Sequence, residues 1–256
     1  MRDILISRAA GVVEVTLNRP HCINALTEDM WHELHDILAQ AEQDTAVRVL
    51  ILSGAGGNFC SGSDLRSGQR SREHPMRRMR RANAAVSRLH ALPMPTIAKV
   101  RGAAVGGGAS LALACDFVLA SPDAYFCQIF IDRGMSPDTG SSWILPRLIG
   151  LQQAKRLAYF GTRLSAAQAR EAGLVTLVES DEQLDRRAAE WAADLAQRAP
   201  VALAMTKSLL NNSFESTFGE ALAAESAAQS VNQLSDDGRE AVAAFTEGRR
   251  PRFTGR

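Results

Sequence analysis

The sequence predicts a mixed α/β core followed by an all-helical tail, and three observations carry that prediction. Short β-branched and aliphatic runs are concentrated in the first two thirds of the chain. Between them lie segments whose apolar residues recur at helical spacing. From Pro200 onward the pattern is helical throughout, with short breaks near Asn212-Ser213 and Asp236-Asp237-Gly238. Strands that mix with helices and then give way to helices alone indicate one layered core with a helical extension. We therefore divide the chain into a core, 1–199, and a helical C-terminal region, 200–256.

The elements follow in order. "DILISR" and "VVEVTL" read as a strand pair closed around Ala10-Gly11, the second strand alternating with period two. "TEDMWHELHDILAQAEQD" reads as a helix, with Thr27 as N-cap, Glu28 and Asp29 in the first turn, and Met30, Leu34, Ile37, Leu38 and Ala41 on one face. "VRVLILS" is a continuous apolar strand, and "GAGGNFCSGSDL" is a loop. "HPMRRMRRANAAVSRLHAL" is helical and must end before Pro93 and Pro95. "TIAKVRG" is a strand, "GGGASLALA" a short buried helix, and "DFVLA" and "AYFCQ" are two further strands. Helices are then expected over 139–148, 151–160, 165–172 and 182–198, with "LVTLVE" as the remaining strand.

Bulk properties exclude several function classes. The 256 residues are 46% hydrophobic and 22% charged, with a formal net charge of +1, so the charge balance favours neither nucleic acid nor a membrane surface. The N-terminal stretch carries Arg2, Asp3, Arg8 and Glu14, and no apolar run fits a signal peptide or a membrane span. Cys22, Cys60, Cys115 and Cys127 form no CxxC pair, and the five histidines include no HExxH, so no metal site is expected. His32 and His35 lie three apart on a predicted helix and read as a polar face. Free thiols fit a reducing, cytoplasmic setting.

Two glycine-rich loops are candidates for chemistry. "LSGAGGNF" lacks the third glycine of a dinucleotide fingerprint, Phe59 standing in its place, and no phosphate-binding G-x-x-x-x-G-K-[ST] occurs. In "RGAAVGGGASLALACD", three glycines precede a helix start. They allow a ligand to approach the backbone and leave N–H groups free for an oxyanion. Tight packing of a helix on a sheet also selects small residues there. Ser63 and Ser110 are possible nucleophiles, but neither lies in G-x-S-x-G. The seven arginines between 66 and 81 read as a solvated helix face or as contacts to an anionic ligand.

Together these segments resemble the crotonase superfamily of enoyl-CoA hydratases and isomerases. "LNRPHCINAL", "NFCSGSDL", "VRGAAVGGGASLALACD", "GMSPDTGSSWILPRLIG" and "AFTEGRRPRF" match its pattern in order over nearly the whole chain. The resemblance implies a spiral of ββα units with a helical C-terminal trimerisation region, assembled as a homotrimer or dimer of trimers. It implies an acyl-CoA substrate, with no cofactor besides the coenzyme A that the substrate carries. The thioester oxygen would lie in an oxyanion hole formed by the N–H groups of Ser63 and Gly107. His21, Cys22, Ile23, Ser61, Gly62, Asp64, Leu65 and Phe130 would contact the substrate or its CoA, and a neighbouring subunit would present Phe245 and Arg249. The two glutamates of the family's hydratases fall on Ser110 and Phe130, neither of which can act as a carboxylate base.

Asp138, in "GMSPDTGSSW", falls where single-carboxylate members carry their acid or base. The segment is similar to that of Δ3,Δ2-enoyl-CoA isomerases and of the isomerases that form a ring oxepin in phenylacetate breakdown. Dehalogenases of the superfamily place an aspartate there too, but their histidine would fall near Asn83. Asp138 is thus read either as the N-cap of a helix starting at Thr139 or as the proton shuttle, desolvated by Ile129, Phe130, Ile131 and Trp143. Asp132 is the next candidate. The expected activity is a double-bond shift from Δ3 to Δ2 through a thioester enolate. Hydratase or hydrolase chemistry and non-catalytic CoA binding are the alternatives.

Overall fold

The computed structural model describes residues 2–66 and 73–256. Strands β1 (Ile4–Ala9) and β2 (Val12–Leu17) form the expected antiparallel hairpin, and the alternation in β2 buries Val13, Val15 and Leu17. Then β3 (Val49–Gly54), β4 (Thr96–Val100), β6 (Phe117–Ala120) and β9 (Leu177–Val178) add in parallel, giving the order β1-β2-β3-β4-β6-β9. Both faces of this sheet are covered. That is why β3 reads as an unbroken apolar run rather than an alternating one.

A second sheet holds β5 (Ala103–Val105), β7 (Tyr125–Cys127) and β8 (Arg163–Ser165). Consecutive strands alternate between the sheets: β4 leads to β5 and β6 to β7, while a bridge between Cys60 and Ala104 brings the segment after β3 to the small sheet. Helices α1 (Glu28–Gln43), α2 (Pro75–Ala91) and α3 (Gly107–Leu113) close successive turns. The result is the spiral of ββα units. Arg70 and Arg72 of the basic cluster lie outside the described residues. Arg78 and Arg81 pair with Glu28, and Arg81 also with Glu73.

Thr27 caps α1 by accepting from the Met30 amide at 3.2 Å, and Trp31 joins the predicted apolar face. Helix α4 (Ser141–Phe160) is broken at Gly150, so the two predicted helices are present as two segments. Its start differs from the prediction because Thr139 and Gly140 both adopt positive φ, which delays the first helical residue to Ser141. Strand β8 was not anticipated; three residues with one buried side chain give too little period-two signal. In "LVTLVE" only two residues pair, since Leu174 and Val175 are instead buried beyond the end of α5 (Ala166–Ala172).

Helix α6 (Asp181–Ala196) covers the large sheet with Leu184, Ala188 and Ala192. Helices α7 (Pro200–Asn212), α8 (Phe218–Leu234) and α9 (Asp236–Glu247) form the tail, and neither α7 nor α8 buries a residue. Lys207 fastens the tail to the core through Asp116 at 2.8 Å. Buried Asp237 accepts from the amides of Thr254 and Gly255 and folds the C-terminus back. Among the described residues no helix is long and apolar enough to cross a membrane, and no group of three or more His, Cys, Asp or Glu could hold a metal ion.

Candidate active site

Two backbone segments meet at the site. The loop after β3 is pinned to the entry of α1: Leu26 donates to Gly62 O, and Asp64 donates to Leu26 O, both at 2.8 Å. In such a parallel bridge the residue between the paired groups, Ser63, turns its own amide the other way, toward the cavity. Buried Cys60 supports the turn, donating to Asn24 O at 3.2 Å and accepting from the Gly62 amide at 3.3 Å. Burial pushes its thiol up to about 12, so it is a structural fixture rather than a nucleophile.

The second segment is the start of α3, where Gly107 is the first helical residue and has an orphan N–H. Neither the Ser63 nor the Gly107 amide donates to another described residue. The segments approach each other closely, mostly through backbone atoms. A Cβ on Gly62 (φ +93°) would lie 3.0 Å from Val105 O and 3.2 Å from Gly107 N. One on Gly108 would lie 2.2 Å from Cys60 O. The glycines are therefore required by contact between the two loops, as well as giving access to a ligand.

Asp138 faces the same space, half-buried and with no ion-pair partner among the described residues. It is not the N-cap. Gly140 holds that position with no side-chain cap bond, and the Asp138 main-chain carbonyl accepts from the Ser141 amide. Among the described residues its carboxylate accepts one hydrogen bond, from Thr139 Oγ1 at 3.0 Å. Desolvation raises its pKa above the ordinary carboxylate value, and the threonine hydrogen bond offsets part of that. Thr139 is β-branched, 2% exposed and at φ +48°, a conformation that costs on the order of 1–3 kcal/mol and persists only where surroundings enforce it. Its hydroxyl lies 3.5 Å from where a Cβ on Gly107 would be, which sets the carboxylate beside the α3 start.

A cavity of about 810 Å³ joins these groups. It is lined by Ser61, Gly62, Ser63, Asp64, Leu65, Ile23, Phe130, Gly107 and Asp138 of the predicted set. His21 and Cys22, in a 3₁₀ turn (Pro20–Cys22), do not line it. Asp64 is held by Arg19 at 3.0 Å, so it orders the loop. Phe130 fills its position as an apolar wall, 4% exposed. Ser110 is fully buried beneath the site. It bonds to Ser141 Oγ at 2.6 Å and donates toward Gly106 O and Asp138 O, so it braces the Asp138 loop.

Three expectations about the surroundings of Asp138 are corrected. Ile131 is largely exposed and does not line the cavity. Trp143 lies in a separate cavity of about 380 Å³, edge-on to His90 and under Arg147. Asp132 is exposed and sits against Gly161, away from the cleft. Ile129 and Phe130 line the cavity as expected, and the rest of the apolar wall comes from Trp31, Met79 and Ala82. Trp31 stands three and seven residues before Leu34 and Leu38 on one helical face, which was the available signal for it.

The comparisons with known proteins bear on the family and the fold. Residues 7–256 match the family described as enoyl-CoA hydratase/isomerase. The chain belongs to that family. It is 39% identical to the 1,2-epoxyphenylacetyl-CoA isomerase of Escherichia coli over the full length of both chains. It is 34% identical to the peroxisomal Delta(3,5)-Delta(2,4)-dienoyl-CoA isomerase of Arabidopsis thaliana, over 95% of this chain and 93% of that one. Among solved structures, an enoyl-CoA hydratase from Bacillus anthracis superposes with a TM-score of 0.95 at 34% identity, covering both chains completely. The fold is thus the crotonase fold, and the chain is an enzyme of this CoA-thioester-processing family.

Proposed function

We propose that the chain is an acyl-CoA isomerase that shifts a double bond from Δ3 to Δ2 through a thioester enolate. One observation carries this reading: a half-buried carboxylate with no cationic partner among the described residues shares one cavity with two backbone amides that donate to no described residue. The thioester oxygen accepts from the Ser63 and Gly107 amides, which makes the C2 proton more acidic. Asp138 removes that proton, and the negative charge spreads over the dienolate while the amides stabilise its oxygen. Asp138 then returns the proton at C4. The proton taken from C2 is given back at C4, so substrate and product are isomers and the step consumes no redox equivalent and no water. Donors of this kind contribute roughly 2.7–4 kcal/mol each in comparable oxyanion holes.

Ser110 and Phe130 support isomerisation over hydration, since neither supplies the second carboxylate that would activate water. The full-length likeness to the E. coli enzyme favours a second reading, isomerisation of 1,2-epoxyphenylacetyl-CoA at the same carboxylate. We also propose a homotrimer or dimer of trimers, supported by exposed Leu210, Phe214, Phe218, Leu234 and Phe245 on the tail. Four free cysteines support a reducing, cytoplasmic setting. The test is a side-by-side assay of a 3-enoyl-CoA, a 2-enoyl-CoA and 1,2-epoxyphenylacetyl-CoA. Conversion of the 3-enoyl thioester faster than hydration of the 2-enoyl thioester is expected. Faster hydration would overturn the proposal, and turnover of the epoxide alone would select the second reading.

A further inference from the structure

Two arginines on the wall of the active-site cavity have no counter-charge among the described residues. The small sheet turns Val105, Tyr125, Cys127 and Arg163 toward that cavity, with Cys127 paired to Val105 on one side and to Arg163 on the other. The Arg163 guanidinium lies over the Tyr125 ring, 4.7 Å from its centroid. Stacking fixes the planar group and leaves its N–H edge free for an acceptor. Tyr125 pairs with Ala103, so the stack stands about 10 Å back along β5 from the start of α3. Arg133, exposed at the end of the 3₁₀ turn Ile129–Arg133, lines the same cavity. Neither arginine forms an ion pair or donates a hydrogen bond to a described residue, nearby Asp132 included. The other charged groups of the lining are accounted for: Arg78 meets Glu28 at 3.5 Å, Arg19 holds Asp64 at 3.0 Å, and Asp138 is the proposed base.

Arg249, the cation that the family resemblance offers to the substrate, is engaged elsewhere. It donates to Glu240 at 2.6 and 2.9 Å and to Glu247 at 2.5 Å, and His21 does not line the cavity. We propose that Arg133 and Arg163 form the anion subsite of this cavity and donate to a phosphate of the substrate's CoA moiety. This rests on the acyl-CoA reading of the cavity but on no step of the isomerisation. An enoyl group carries no charge, so the phosphates are the anions that the proposed substrate brings. A guanidinium suits them because its paired N–H groups can meet two phosphate oxygens at once. One such charge-assisted hydrogen bond corresponds to roughly a tenfold or larger change in Kd.

The experiment is calorimetric titration of butyryl-CoA, butyryl-dephospho-CoA, S-butyrylpantetheine and S-glutarylpantetheine. Wild type, Arg133→Gln, the double variant Arg133→Gln with Arg163→Gln, and Arg249→Gln are compared. The single variant, at an exposed position, keeps the test open if losing the Tyr125 stack impairs folding. Wild type should bind butyryl-CoA at least tenfold more tightly than S-butyrylpantetheine. The double variant should lose that advantage while binding S-butyrylpantetheine as before, and Arg133→Gln should lose part of it. A loss between CoA and dephospho-CoA assigns the 3′-phosphate, and one between dephospho-CoA and pantetheine assigns the diphosphate. An unchanged ratio in both variants, or its loss in Arg249→Gln alone, would overturn the subsite while leaving the acyl-CoA site intact. So would a wild-type preference for the glutaryl over the butyryl pantetheine that the double variant abolishes, which would assign the arginines to an acyl carboxylate. Failure of wild type to bind any of the four thioesters would instead overturn the reading of the cavity.

Discussion

Replacing Asp138 with asparagine removes a charge while keeping an acceptor oxygen where Thr139 Oγ1 donates at 3.0 Å. Because Gly140 and not Asp138 occupies the N-cap of α4, the change withdraws no cap. Burial raises the folded pKa of Asp138 above its unfolded value. The stability it contributes is therefore fully present below the unfolded pKa and is lost as pH rises through the folded pKa. At pH 7 the ionised carboxylate is disfavoured by its surroundings, and Asp138→Asn should leave Tm unchanged or slightly higher. Catalysis should behave oppositely. The other carboxylates of the cavity are engaged, Asp64 with Arg19 at 3.0 Å and Glu28 with Arg78 at 3.5 Å, and Asp132 lies outside it. None can substitute as base, so the full contribution of a general base should be lost, about 10²–10⁴-fold in kcat. That corresponds to roughly 2.7–5.4 kcal/mol of barrier. KM should change little, since the carboxylate acts on a proton and not on the CoA. The assay follows the ultraviolet absorbance of the conjugated thioester formed from a 3-enoyl-CoA, with Tm measured on the same preparations. A variant that folds normally and keeps kcat within tenfold of wild type would refute the assignment.

Two further outcomes follow from the same geometry. Thr139→Val removes the Thr139 hydrogen bond that lowers the Asp138 pKa, so the acidic limb of the kcat profile should move to higher pH while activity above it is largely kept; an unmoved limb would show that this hydroxyl does not tune the base. Gly62→Ala forces a Cβ to within 3.0 Å of Val105 O and 3.2 Å of Gly107 N at a positive φ, so the two loops must separate. It should lower Tm, with a loss on the order of 1–3 kcal/mol from backbone strain, and reduce kcat by at least the 10²-fold typical of one lost oxyanion donor; denaturant melts and the enoyl assay read both.

Much of this was legible in the residues because local physics decided it. Period-two alternation in "VVEVTL" and helical spacing after Thr27 depend only on neighbours in sequence, and the structure keeps both. The paired glycine loops were legible as well, since contact of backbone with backbone leaves room for no other residue at Gly62 and Gly108. Strand β8 was not, because three residues carry too little periodicity to register. Nor was the start of α4, because the positive φ of Thr139 contradicts its own β-branched preference and is imposed by contacts from elsewhere in the chain.

The wall of the site shows the same division. Asp138 was identified by its place in a motif, but whether it capped a helix or faced a cavity depended on how Ser110 and Ser141 brace its loop across α3 and α4. Trp143, close in sequence, turned to another cavity, and Trp31, more than a hundred residues away, took its place. By itself the sequence determined the family, most of the elements and the two glycine-rich loops, all of which rest on the pattern along the chain. Tertiary structure alone decided which apolar groups desolvate the carboxylate, because burial arises only once distant segments meet.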